Sequence, residues 1–286
     1  MIMFSFIIPH KNSPDLLKRC IDSIPIRDDL EIIVVDDNSD IHLRPSFIRE
    51  DTKVIFINSE ESRGAGHARN VGINEASGKW LLFADADDTY TINLPKLLDT
   101  VLYKSSDVIY FDYNIINNNV ISEKKLNEGV VTCDEDSFSL KYRLRAPWNK
   151  IVNKSFIELH DINFEESPVG NDMFFTYQVG FHSGDNFEYI SETVYNYYIT
   201  QGSITHKKKH NENYYLTICK HVYQSNEFVR YLGHPEYSRT FISKLMAILI
   251  KKGPSQFFLT LKVFISHHNE IINDRSYYLN ILKGGH

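Results

Sequence analysis

The sequence predicts an α/β fold, a mostly parallel central sheet flanked by helices and followed by a C-terminal helical extension. Three observations carry this. The first hundred residues alternate β-branched apolar runs with stretches of helical periodicity. The run Ile32-Ile33-Val34-Val35 is apolar without alternation, as a strand covered on both faces must be. Acidic groups sit at the ends of two such runs, Asp36-Asp37 and Asp85-Ala86-Asp87-Asp88. Parallel sheets bind ligands beyond the carboxyl ends of their strands, so both groups arrive at one edge.

Phe4 to Ile8 is the first strand, with Pro9 expected to end it. Ser13-Pro14-Asp15 starts a helix: Ser13 can cap, Pro14 suits the first turn and Asp15 suits the dipole. Leu16, Leu17, Cys20, Ile21 and Ile24 recur at helical spacing and predict its buried stripe. Glu31 to Val35 and Lys53 to Ile57 are the second and third strands. Gly64 to Ala76 predicts a loop leading into a helix with Ala68, Val71 and Ile73 turned inward. Lys79 to Ala84 is the fourth strand and delivers the acidic cluster. A helix over 94–102, a strand over 107–113 and a turn at Asn117-Asn118-Asn119 follow. Residues 120–146 show no clear period. Beyond them the pattern predicts a strand or turn over 148–154, helices over 156–159 and 172–180, and two strands over 187–190 and 193–198. After Thr205 comes a polar cationic stretch, His206 to His210, then two or three helical segments to Leu282. The predicted division is a main domain over 1–205, with halves of about 1–110 and 111–205, and a helical extension over 206–286.

A hydrophobic fraction of 42% and a charged fraction of 24% suit a soluble globular chain. The net charge of −6 provides no basic field for nucleic acid. Cys20, Cys133 and Cys219 are far apart and form no CxxC pair, which excludes a structural zinc site and fits a reducing compartment. No opening segment has signal-peptide character, and no apolar stretch reaches the ~20 residues that cross a bilayer. A cytoplasmic protein is expected, with peripheral contact at the inner membrane face and a homodimer both open. Phe257 to Ile265 is strongly apolar with lysines nearby, and reads first as a packing helix, second as a dimer or membrane face.

Three carboxylates within Asp85 to Asp88 repel one another, so the turn has solvated them or given them a cation. Carboxylate oxygens suit Mg²⁺ or Mn²⁺ in sites that also hold phosphates. The alternative is a polar loop with a helix cap, but a third Asp adds repulsion without adding capping. Arg63-Gly64-Ala65-Gly66-His67-Ala68-Arg69-Asn70 resembles a phosphate cradle only weakly, since it lacks a third glycine or a GK[ST] ending. Asp172 by itself reads as a first-turn acid favoured by the helix dipole.

Taken in order, Ile7-Ile8-Pro9-His10-Lys11-Asn12, Val34-Val35-Asp36-Asp37-Asn38-Ser39, Gly64 to Asn70 and Phe83-Ala84-Asp85-Ala86-Asp87-Asp88 resemble family 2 glycosyltransferases. The likeness spans about residues 4–90. Ala146-Pro147-Trp148-Asn149-Lys150, Asn171-Asp172-Met173-Phe174-Phe175 and Tyr197 to Thr205 resemble acceptor-side segments of bacterial polysaccharide-building members. The resemblance implies the Rossmann-like GT-A fold. It also implies a metal-dependent, inverting, hexosyl-type transfer in surface polysaccharide synthesis. The donor would be a nucleotide sugar, UDP-linked by expectation; the acceptor a glycan or lipid-linked saccharide; the cofactor Mn²⁺ or Mg²⁺.

The resemblance also implies roles. Pro9, Asn12 and Asp37 would hold the nucleobase, with Asp36 beside them, and Arg69 would contact the base or the diphosphate side. Asp85, Asp87 and Asp88 occupy the DxD position: Asp87 or Asp88 would bind the metal, and a neighbour a ribose hydroxyl. Asp172 would be the general base. The family's Glu-Asp pair is Asn171-Asp172 here, which removes a charge beside the base. Trp148, Asn149 and Lys150 fall on the acceptor side, with Trp148 either stacking on sugar or buried in the core. Gln201 to Thr205 with Lys207 to Lys209 reads as a closing loop or a solvated hinge. Two alternatives remain at this level. A metal-dependent nucleotidyltransferase would usually carry a Gly-rich loop after the first strand, and His10 to Ser13 has no glycine. A non-catalytic nucleotide- or glycan-binding protein would not need both carboxylate sets.

Overall fold

In a computed structural model the first half of the chain lays down four parallel strands: β1 (Phe4–His10), β2 (Leu30–Asp36), β3 (Thr52–Phe56) and β4 (Trp80–Phe83). β1 lies between β2 and β4, and β3 pairs with β2. The structure describes residues 1–46, 49–57, 62–118, 120–124, 137–167, 169–199, 211–238 and 240–283. The chain divides into two units, 1–166 with 171–200, and 167–170 with 201–286.

Two crossover helices explain why the strands are apolar on both sides. On one face α1 (Pro14–Asp22) packs Leu17, Cys20 and Ile21 against Phe4, Phe6, Ile8 and Ile32. On the other, α2 (Gly64–Glu75) packs Ala68 and Ile73 against Ile7, Ile33 and Val35. The small side chains of α2 let it lie close to the sheet. A Cβ on Gly72 would sit 2.4 Å from Ile7 Cγ2.

The chain continues through β5 (Thr89–Tyr90), α3 (Leu94–Val101), β6 (Val108–Asn117), β7 (Val120–Lys124), β8 (Lys150–Asn153), α4 (Lys154–Leu159), α5 (Asn171–His182) and β9 (Phe187–Tyr198). Among the described residues the sheet order is β3-β2-β1-β4-β8-β6-β9-β5, with β7 a hairpin partner of β6. β8 runs antiparallel to β4 and β6, whereas β9 is parallel to β6. The parallel part therefore carries the first half of the unit, and a mixed part the second. This is the α/β, GT-A type of sheet.

Four local expectations change. Pro9 lies inside β1 rather than ending it. It falls past the last β1–β4 pair, at Ile7, where only β2 flanks the strand, an edge-like position that proline tolerates. Ser13 makes no side-chain cap on α1; its hydroxyl donates to the Lys11 carbonyl instead. Residues 187–198 form one strand, not two. Phe111 and Asp112 pair with Ile190 and Thr193, so Ser191 and Glu192 are extra residues in a bulge. The buried Asp112 accepts from Tyr189 Oη (2.8 Å) and Ser191 Oγ (3.3 Å) there. Residues 120–124, without a readable period, form the outer strand of a hairpin whose turn puts Asn118 at φ 48°. The expected loop at Gln201 to Thr205 and Lys207 to Lys209 lies outside the described residues.

The second unit contains α6 (Glu212–Tyr231), α7 (Phe241–Lys252), α8 (Pro254–Ser266), α9 (His268–Asn273) and α10 (Tyr277–Leu282). The Asn211 and Thr240 side chains cap α6 and α7, accepting from Tyr214 N (3.0 Å) and Ser243 N (3.1 Å). Its core joins Tyr214, Tyr215, Ile218, Ile248 and Val263. Among the described residues no helix is long and apolar enough to cross a membrane.

The close seat of α2 is testable. Gly72→Ala improves helix propensity by about 1 kcal/mol, but overpacking against a buried Ile costs about 1–3 kcal/mol. Urea denaturation should therefore show a net loss of stability; a gain would mean that α2 is not held close to β1.

Candidate functional site

The carboxyl edge of the sheet is organised around the turn after β4. Ala84 N donates to Ile7 O (3.1 Å), ending the strand, and Asp88 N donates to Asp85 O (3.0 Å), closing the turn. β9 covers this turn. Tyr195 Oη accepts from Asp85 N (3.0 Å) and donates to Asp88 Oδ2 (2.9 Å), while Tyr198 N donates to Asp88 Oδ1 (2.7 Å). Asp88 is fully buried beneath. Burial, and then the neighbouring Asp85, push its pKa up to about 9 against the pull of its two donors.

Asp85 is treated differently. Its Oδ1 accepts from Arg69 Nη2 at 2.6 Å, and about a third of its side chain stays exposed. Arg69 is buried, lies over the Phe164 ring at 5.2 Å, and donates through Nη1 to Asn171 Oδ1 (2.9 Å). One guanidinium thus joins the end of β4 to the start of α5. Asp87 is half-buried, and its carbonyl accepts from Arg19, whose guanidinium covers the Tyr198 ring at 4.1 Å.

The N-terminal half of α2 holds the segment before α5 in place. Asn70 bonds Phe164 in both directions, at 2.9 and 2.8 Å. Arg63 and His67 both meet Glu166, His67 at 2.8 Å. Gly66 permits the approach: a Cβ there would lie 2.0 Å from Glu165 O. Of the two glycines that resemble a phosphate loop, Gly66 therefore serves helix packing. Asp172 follows Asn171 in the first turn of α5. Burial raises its pKa; Arg69 opposes the shift and Asp85 adds to it. Lys150 is buried, donates to Ala146 O, and has its pKa pushed down to about 7 by burial, with Asp172 pulling the other way.

Several sequence-predicted roles change. Asp88 is not placed to ligate a cation, because both oxygens face inward to Tyr195 and Tyr198. Asp36 is likewise internal: Oδ2 meets His10 Nδ1 (2.7 Å) and Ser39 Oγ (2.6 Å), and Oδ1 accepts from Ser39 N (3.0 Å). His10 Nε2 accepts from Ser13 N (3.1 Å), so its proton sits on Nδ1, toward Asp36. Asp37 accepts from Ser62, Arg63 N (2.9 Å) and Gly64 N (2.8 Å), a carboxylate at the start of α2 rather than an open nucleobase acceptor. Asn12 is tied to its neighbour loop, accepting from Asp40 N (2.8 Å) and donating through its own N to Ser39 Oγ (2.8 Å).

Trp148 belongs to the core. It stacks on Tyr195 (4.7 Å) and Tyr197 (5.6 Å) and meets Tyr113 edge-on, leaving no open face for sugar. Asn149 and Lys150 are buried. Pro9, half-buried, and Arg69, Asp85, Asp87 and Asp172 remain at the edge. Tyr195, Tyr198, Arg19 and Glu166 were not singled out by sequence reasoning. The aromatic crowding of Tyr195-Asn196-Tyr197-Tyr198, part of which falls in the Tyr197 to Thr205 segment, is a local signal for the two tyrosines alone.

The donor set limits what the edge can hold. Among the described residues no three His, Cys, Asp or Glu side chains gather as a metal cage. Asp85 and Asp87 offer hard oxygens only, which fits a cation that takes one or two carboxylates and completes its shell with water and phosphate oxygens. The buried Arg69 Nε has no partner among the described residues, which fits an anionic oxygen beside Asp85.

Comparison with known proteins bears on this edge. The family model of Glycosyl transferase family 2 matches residues 5–156. UDP-Glc:alpha-D-GlcNAc-diphosphoundecaprenol beta-1,3-glucosyltransferase WfgD of Escherichia coli is 29% identical over 126 residues, covering 43% of this chain and 50% of that protein. The GalNAc(5)-diNAcBac-PP-undecaprenol beta-1,3-glucosyltransferase of Campylobacter jejuni is 32% identical over 133 residues, covering 44% of this chain and 41% of that protein. The matched segments thus span half or less of these relatives. Among solved structures, Staphylococcus aureus TarS 1–349 in complex with UDP-GlcNAc aligns with a TM-score of 0.64 at 19% identity, covering 99% of this chain and 92% of that one. The likeness to TarS is one of fold.

The division of labour in the acidic turn makes a prediction. Asp88→Ala strands the Tyr198 N–H and the Tyr195 hydroxyl, so it should cost about 1–3 kcal/mol in chemical denaturation. Asp87→Ala should cost less than Asp88→Ala, because Asp87 is half-buried and Asp88 fully buried. Equal losses would mean that the two carboxylates share one role.

Proposed function

The chain belongs to glycosyl transferase family 2, and from that premise we propose that it transfers a sugar from a UDP-linked donor to a glycan or lipid-linked saccharide acceptor, with inversion. The observation that carries this reading is the Asp85–Arg69–Asn171 bridge. It joins Asp85 of the acidic turn to Asn171, the chain neighbour of Asp172, through one buried guanidinium. In this reading the bridge would hold a donor-side anion site and an acceptor-side base in the relation that a displacement at a sugar carbon requires.

Asp87, with Asp85 beside it, would hold Mg²⁺ or Mn²⁺. Such a cation, when bound, neutralises charge on a departing nucleoside diphosphate. Arg69 orients Asp85 through Nη2, and its buried Nε has no partner among the described residues. Asp172 accepts the proton of the acceptor hydroxyl as that oxygen attacks the anomeric carbon from the face opposite the leaving group. Its raised pKa strengthens it as a base compared with an exposed carboxylate. Asp88 and Trp148 act on the reaction only by holding the turn and β9 in place.

Two tests follow. In a thermal-shift screen of nucleotide sugars with and without Mn²⁺, UDP-linked donors should stabilise the protein, more strongly with the ion. Asp172→Asn should keep that shift yet lose transfer by about 10²–10⁴-fold, the usual contribution of a positioned base. Near wild-type transfer by this variant would place the base elsewhere.

The second test uses pH. The base must be ionised, so activity falls as pH drops through the pKa of Asp172, which burial has raised above the ordinary carboxylate value. Asn171→Asp adds a like charge and offsets part of Arg69, and both effects raise that pKa further. The acid limb of kcat/KM should therefore move to higher pH. An unmoved limb would show that another group sets it.

A further inference from the structure

Helix α7 is apolar on two faces. Leu245 and Ile248 are buried, Ile248 within the core of the second unit. Ile242, Met246 and Ile250 recur every fourth residue on another face, where they are 71%, 46% and 80% exposed. α8 repeats the arrangement. Thr260 and Val263 face inward, while Phe258 and Ile265, seven residues apart, are 64% and 67% exposed with Lys262 on the same stripe. A helix apolar all round is normally covered, and a run of large exposed apolar side chains marks an interaction surface.

Charge narrows what covers it. Between Thr240 and Asn269 there are four lysines, Lys244, Lys251, Lys252 and Lys262, and no Asp or Glu, in a chain whose net charge is −6. Lys251 is exposed and follows Ile250 directly; Lys262 is exposed and also meets Glu212 at 2.9 Å. A second copy of the chain would set this patch against itself, and the patch holds no Asp or Glu to meet its four lysines. An anionic lipid surface has the opposite character: apolar side chains enter the boundary below the headgroups while lysines reach the phosphates. Neither helix is suited to span.

We propose that the outward faces of α7 and α8 seat this protein on an anionic phospholipid bilayer, through Ile242, Met246, Ile250, Phe258 and Ile265 with Lys251 and Lys262 at the headgroups. This stands apart from the sugar-transfer reading and can fail without it. The test is flotation of the full chain with vesicles of phosphatidylglycerol and phosphatidylethanolamine, compared with vesicles of phosphatidylcholine alone. The wild type should float with the anionic vesicles only and be released by high salt. The pair Ile242→Glu and Ile250→Glu should lower binding by about ten-fold or more, and the pair Lys251→Glu and Lys262→Glu by a similar factor. Both variants should keep the donor-induced thermal shift, and the isoleucine pair the wild-type melting temperature. No flotation with anionic vesicles, or flotation unchanged in both variants, overturns the proposal. So does a wild-type dimer in light scattering that Ile242→Glu with Ile250→Glu turns into a monomer.

Discussion

Three carboxylates within four residues can share one turn only if each charge is handled separately. Asp88 is buried and hydrogen-bonded from β9, Asp85 is paired with a buried guanidinium, and Asp87 is left at the edge with Arg19 on its carbonyl. Each solution needs a different part of the fold. The first requires Tyr195 and Tyr198, more than a hundred residues away, so the sheet must close over the turn before Asp88 can be accommodated. The second requires α2 to lie close enough for Arg69 to reach both Asp85 and Asn171. The architecture thus concentrates negative charge at one sheet edge while leaving little of it free.

Helix α2 carries this arrangement from the donor side to the acceptor side. It is small where it meets β1, at Gly72, and small again where it meets Glu165, at Gly66. Between them Arg69 and Asn70 grip α5 and the segment that leads to it. Asp37 supplies a carboxylate to the helix's first amides, so the polar group after β2 anchors the same helix. Asn171, where the family resemblance leads one to expect Glu, gives Arg69 a neutral partner. More of the guanidinium charge therefore remains to act on Asp85 and Asp172.

Much of this was readable in the chain. The strands and the gathering of Asp36, Asp37 and Asp85 to Asp88 at one edge follow from local periodicity and from the geometry of parallel sheets. The helix start at Asn171 or Asp172 was equally local. What could not be read depends on distant partners. Nothing near Asp88 distinguishes it from Asp87, since the difference is made by Tyr195 and Tyr198. Trp148 in its Pro-Trp-Asn-Lys setting suggests a sugar platform until Tyr195 and Tyr197 are seen stacked on it. Asp36 looks like a ligand group until His10 and Ser39 occupy it. The bulge at Ser191 and Glu192 split one strand into two in the sequence pattern, because extra residues interrupt the alternation.

The central claim is that the edge beside Arg69 binds a nucleoside diphosphate with a divalent cation on Asp87, while Asp88 stays inside. Anomalous diffraction at the manganese edge, from crystals grown with UDP and Mn²⁺, tests this most directly. One manganese peak is expected, bonded to a carboxylate oxygen of Asp87 and to diphosphate oxygens, with Asp88 still held by Tyr195 and Tyr198. A peak bonded to Asp88, or UDP bound away from Asp85 and Arg69, would contradict it.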